Sequence, residues 1–175
     1  NLKFTSISNL SIGIHGRHNV QNSLSAIAIG VEKGFDKEVI RTAFENFEGV
    51  KRRFTVTGVV NGISIIDDYA HHPVEIKATL STARHIANLR GSKVIAIMQP
   101  HRYTRLGDLM EEFSAAFADA NHVFISEVYS AGENPIPNVN AEELIKKIKL
   151  HGQNNVAKLE SQEMLAEIIN NLARN

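Results

Sequence analysis

From residue 73 onward the chain alternates short apolar runs with helical spacing, and this alternation constrains its fold more than any other feature. The runs are Lys93-Val-Ile-Ala-Ile-Met98, His122-Val-Phe-Ile125 and a shorter one over 155–159. Between them, apolar residues recur three and four positions apart, the period of a helix with one buried face. Ile76, Leu80, Ala83 and Ala87 line one predicted helix, which starts at Pro73 and stops at Gly91. Leu106, Leu109, Met110, Phe113 and Phe117 line a second. Helices over 141–150 and 161–172 complete the series. Strands that alternate with helices at short spacing imply right-handed crossovers and a mostly parallel sheet. The predicted fold is therefore α/β, a Rossmann-like three-layer domain.

The first part of the chain reads differently. Loose alternation over 2–14 predicts one or two edge strands. Val20, Leu24, Ile27 and Val31 predict a helix over 19–31, and Asp36 is placed to cap a second one reaching residue 47. A strand over 54–60 and a return strand over 63–66 flank Asn61-Gly62, a strong short hairpin signal. Two helices giving way to a hairpin set a predicted domain boundary near residue 49. The opening Asn1 reads as the middle of a longer polypeptide, so the expectation is a fragment.

Charge and composition exclude several functions. Lys plus Arg and Asp plus Glu are 19 each in 175 residues, which lacks the basic stripe of a duplex-binding protein, so no nucleic-acid partner is expected. With no cysteine there is no thiolate nucleophile, disulfide or cysteine-bound zinc, and a reducing cytoplasmic setting is expected. No apolar run approaches the roughly 18 residues of a membrane span, so no membrane partner is expected. Neither GxxxxGK[ST] nor GxGxxG occurs, which argues against a nicotinamide dehydrogenase.

In open α/β sheets, ligands sit beyond the carboxyl ends of the strands. The corner Gln99-Pro-His-Arg-Tyr-Thr-Arg105 leaves such a strand and carries two arginines three positions apart. Guanidinium forks suit a carboxylate or phosphate; a helix-starting turn with two surface arginines is the alternative. In Asp67-Asp-Tyr-Ala-His-His-Pro73 the adjacent carboxylates repel, so one addresses another partner. Adjacent histidines rarely aim at one ion, and no metal site is expected there. A neutral imidazole can orient an amine or take its proton, and His72 is placed to start the helix at Pro73. In Gly16-Arg-His-Asn-Val-Gln-Asn22 the amides of Asn19 and Asn22, one turn apart, could meet an adenine edge or cap the helix. The basic run Lys51-Arg-Arg-Phe54 could be a solvated surface or a phosphate contact.

Four motifs in this order resemble the peptidoglycan Mur ligase family over essentially the whole chain. The resemblance assigns 1–48 to the end of a central ATP-binding domain and 49–175 to the Rossmann-like C-terminal domain. It implies that His18, Asn19 and Asn22 lie near adenine, and that Asp68 binds the ribose. Arg53 reaches ATP and steadies charge on the γ-phosphate. Tyr69 and His71 line an amino-acid pocket, His71 with a catalytic role. In alanine-adding members the counterparts of Arg102 and Arg105 hold the alanine carboxylate, with His101 close by. The loop Glu127-Val-Tyr-Ser-Ala-Gly-Glu-Asn-Pro-Ile-Pro137 is similar to that branch too, with no catalytic role implied for Glu127 or Glu133.

The implied activity is an ATP-dependent carboxylate–amine ligase of peptidoglycan precursor synthesis, joining L-alanine to UDP-N-acetylmuramate through an acyl phosphate. Mg2+ would be held mostly by residues outside this chain, which alone is expected to be inactive. A monomer or weak homodimer is expected. The alternatives are a ligase that recycles murein tripeptide, and a non-catalytic α/β binding module.

Overall fold

The computed structural model describes residues 6–173, which fall into two compact units, Asn1–Tyr69 and Ala70–Asn175.

In the first unit, helix α1 spans Arg17–Glu32 and helix α2 spans Lys37–Glu45. Asp36 caps α2 by accepting from the Glu38 N–H at 2.8 Å, as the cap signal predicts. Helix α1 turns its small residues inward. Ser23 and Gly30 are buried, and a Cβ on Gly30 would sit 3.1 Å from Ile40 Cδ1 of α2. Val20 and Leu24 of the expected apolar stripe are 51% and 61% exposed. The edge strands expected before α1 do not form over residues 6–14, and 2–5 lie outside the described residues. There Asn9 at φ 57° interrupts the extended run, and Gly13 abuts the Phe47 carbonyl, where a Cβ would lie 2.8 Å from the oxygen.

Strands β1 (Thr55–Val60) and β2 (Ile63–Asp67) form the expected antiparallel hairpin. Asn61 and Gly62 take φ 51° and 79°, the paired positive values of a turn whose twist matches the strands. The hairpin is a two-stranded sheet of its own. Strand β2 finds its partner in β1 and not in the parallel sheet.

The second unit follows the predicted alternation. Helix α3 (Pro73–Arg90) ends at Gly91, whose φ of 61° makes the left-handed C-terminal turn cheap. Strands β3 (Ile95–Met98), β4 (His122–Ile125) and β5 (Val156–Lys158) pair in parallel in the order β3-β4-β5. Helix α6 spans Ala141–Leu150, capped by Asn140, and α7 spans Leu165–Ala173, starting later than predicted. The single helix predicted after residue 105 is two short ones, α4 (Tyr103–Asp108) and α5 (Met110–Ser114), with Leu109 between them at φ −119°. Phe117 lies beyond the end of α5, yet is 1% exposed. Leu106, Phe113 and Phe117 all reach one core with Val123, Ile125, Leu144 and Ile148. Burying such side chains supplies about 1.5–3 kcal/mol each.

Candidate functional site

The corner at 99–105 stands on that core. Pro100 is fully buried, and the backbone beyond β3 stays tied to the loop after β4: Arg102 N–H donates to the Tyr129 carbonyl and Tyr129 N–H to the Pro100 carbonyl, both at 2.8 Å. Arg102 takes φ 73°, a left-handed value that side chains seldom adopt. That conformation and the two backbone bonds fix where its side chain leaves the corner. The His101 ring lies against the Tyr129 ring, with centroids 5.2 Å apart, and its Nδ1 is buried with no hydrogen-bond partner. Burial, then Arg105, Arg102 and His71, hold the His101 imidazole below its ordinary value of 6.5, while Glu133 acts in the opposite sense. His71, His101, Arg102 and Arg105 therefore share one electrostatic neighbourhood that disfavours the charged form of His101.

Two carboxylates absent from the predicted site organise this unit. Glu75, in the first turn of α3, accepts from the backbone N–H of His71 at 3.0 Å and of His72 at 3.2 Å, and lies 3.7 Å from His71 Nδ1. His72 caps α3 through Nδ1, which is the role predicted for it. Glu133 accepts from Thr104 N–H at 3.0 Å and Thr104 Oγ1 at 2.7 Å, and lies 3.9 Å from Arg102 Nη1. These bonds hold its carboxyl below the usual range. The spacing His-Pro-x-Glu is a capping pattern that could have revealed Glu75. Nothing local could have revealed Glu133, which is 29 positions from Thr104.

The first unit holds a second arginine corner. Arg52 and Phe54 take φ 60° and 51°. Asp68 accepts from the Phe54 N–H at 2.8 Å, and Tyr69 N–H donates to the Arg52 carbonyl at 2.7 Å. Arg52 lies 3.4 Å from Asp67 and stacks 4.7 Å over the Tyr69 ring, while the side chain of Arg53 is exposed. The two motifs around 51–54 and 67–69 are thus one local structure. On α1, no side chain caps the N-terminus, so the capping alternative for the asparagines is not realised. The Asn19 amide donates instead to the His15 carbonyl at 2.7 Å, and Asn22 is exposed one turn on. Among the described residues no three His, Asp or Glu side chains gather as a metal site, and no helix is long and apolar enough to cross a membrane.

Arg102, Arg105 and His101 thus stand beyond the carboxyl end of β3 in a parallel α/β unit. Residues 52–175 match the family model described as "Mur ligase, glutamate ligase domain", and the chain belongs to that family. The UDP-N-acetylmuramate--L-alanine ligase of Rickettsia canadensis (strain McKiel) is 53% identical over 154 residues, 86% of this chain and 32% of the relative. Among solved structures, a UDP-N-acetylmuramate-alanine ligase from Thermotoga maritima matches with TM-score 0.71 and 31% identity, over 91% of this chain and 33% of that one. A murein peptide ligase from Psychrobacter arcticus matches with TM-score 0.62 and 26% identity, over 91% of this chain and 32% of that one. The chain spans about a third of the length of the curated relatives it matches.

Proposed function

We propose that this chain is the acceptor-binding and nucleotide-clamping part of an ATP-dependent ligase that joins L-alanine to UDP-N-acetylmuramate. The observation that carries the reading is that Arg102, Arg105 and His71 act on the His101 ring, which stands beyond β3 against Tyr129 with its Nδ1 buried and unpartnered. An α-amino acid presents a carboxylate and an amine a short distance apart. Arg102 and Arg105 would take the carboxylate, with His101 beside them. His71, oriented from the α3 side by Glu75, would position the amine or accept its proton. The higher identity to an alanine-adding ligase than to the murein peptide ligase favours L-alanine as acceptor.

In the first unit, Asp68 would hold the ribose and Arg53 would steady the γ-phosphate, while His18, Asn19 and Asn22 would lie near adenine. Tyr69 would line the amino-acid pocket. In the reaction, the muramate carboxylate attacks the ATP γ-phosphate to give an acyl phosphate and ADP. The amine then attacks the acyl carbon, phosphate leaves, and the amine proton passes to a base. Residues 1–48 would be the end of a central ATP-binding domain and 49–175 the C-terminal domain of a cytoplasmic enzyme of peptidoglycan synthesis. Among the described residues no three His, Asp or Glu side chains gather to hold Mg2+.

The test is phosphate release by the full-length parent protein with magnesium-ATP and UDP-N-acetylmuramate, comparing amines. L-Alanine should be required. Release only with a murein tripeptide would transfer the assignment to the recycling reaction, and no amine-dependent release at all would leave a binding module.

A further inference from the structure

Glu133 reaches the acceptor corner from the loop between β4 and α6, and the family resemblance gives it no role. Its side chain is 21% exposed, against 51% for Arg102. It spends both oxygens on Thr104 and still lies 3.9 Å from the Arg102 guanidinium. Its bonds to a backbone N–H and a hydroxyl hold the carboxyl below its ordinary range. The charged and titratable groups acting on His101 are Arg105, Arg102 and His71 on one side of the ledger and Glu133 on the other. Of the groups acting on His101, two guanidiniums stand against the single carboxylate of Glu133.

We propose that Glu133 sets the charge of the acceptor corner, cancelling one of the two arginines so that the site matches an amino acid bearing a single carboxylate. This rests on the acceptor reading above. A corner with two uncompensated arginines would attract a dicarboxylate more strongly, because each added charge finds its own guanidinium. Glu133 restrains that attraction while pinning Thr104, so the arginines stay in place as their charge is tempered. It is a specificity-determining residue that acts through Arg102.

The variant that separates charge from position is Glu133→Gln, whose amide oxygen can accept from the Thr104 N–H while its NH2 donates to Thr104 Oγ1. The full-length parent and this variant are assayed for L-alanine-dependent phosphate release, with malonate and acetate as competing inhibitors. Loss of the charge should strengthen malonate inhibition relative to acetate by about fivefold, the scale of one partly exposed ion pair. The Glu133→Asp variant, which keeps the charge, should leave the malonate-to-acetate ratio near that of the parent. Equal ratios in the parent and Glu133→Gln would overturn the inference alone, even if both were weakened by a general loss of structure. Absence of L-alanine dependence in the unmodified parent would overturn the acceptor reading and this inference with it.

Discussion

The two arginine corners use the same local device on different foundations. Each contains left-handed non-glycine residues: Arg52 and Phe54 in one, Arg102 in the other. Each is tied by a short backbone bond to a loop distant in sequence, Tyr69 to Arg52 and Arg102 to Tyr129. Each has a carboxylate bonded to its backbone and a carboxylate beside an arginine; Glu133 does both jobs in the second, Asp68 and Asp67 share them in the first. The foundations differ. The 99–105 corner rests on Leu106, Phe113 and Ile125, all 1% exposed or less. The 51–54 corner rests on Phe54 and a hairpin whose Val56, Val59, Val60 and Ile65 are about half exposed or more. A positive φ in a non-glycine residue costs about 1–2 kcal/mol, so the first corner depends on its polar anchors and the second on its core.

Removing the foundation under the second corner should have the larger effect. Phe113→Ala opens a cavity beside Leu106 and should cost about 3–5 kcal/mol in denaturant unfolding of the second unit. A loss below 1 kcal/mol would mean that the core is not what holds the corner. Removing an anchor should have the smaller effect on stability but a sharper local one. Asp68→Ala leaves the Phe54 N–H without its acceptor and should cost about 1–3 kcal/mol. It should also raise the KM for ATP far more than that for L-alanine. Equal rises would show that Asp68 supports the whole chain and not this corner.

What could be read from the sequence follows from how locally each feature is determined. The Asn61-Gly62 turn, the Asp36 cap, the Gly91 stop and the His72-Pro73 start each depend on residues within one turn, and all appear as predicted. The parallel sheet was legible because three apolar runs, each as short as a buried strand, recur between helices. The break at Leu109 was not, since Leu106, Leu109, Met110, Phe113 and Phe117 keep helical spacing through it. Gly107 shows the crowding beside it: a Cβ there would lie 3.3 Å from Val139. Periodicity also misled at α1, where spacing finds the helix but burial falls on Ser23 and Gly30. In the candidate site, residue type and position in the motifs led to the arginines and histidines. Their anchors, Asp68 on Phe54 and Glu133 on Thr104, span 14 and 29 positions and follow no period.

The central claim is that the 99–105 corner takes the amino-acid carboxylate, and one substitution addresses it directly. In the full-length parent carrying Arg102→Ala, KM values for L-alanine, ATP and UDP-N-acetylmuramate would be measured by phosphate release. Loss of a charge-assisted bond should raise the L-alanine KM by about ten- to a hundredfold, with the other two within about twofold. An unchanged L-alanine KM, or equal rises for all three substrates, would contradict the account.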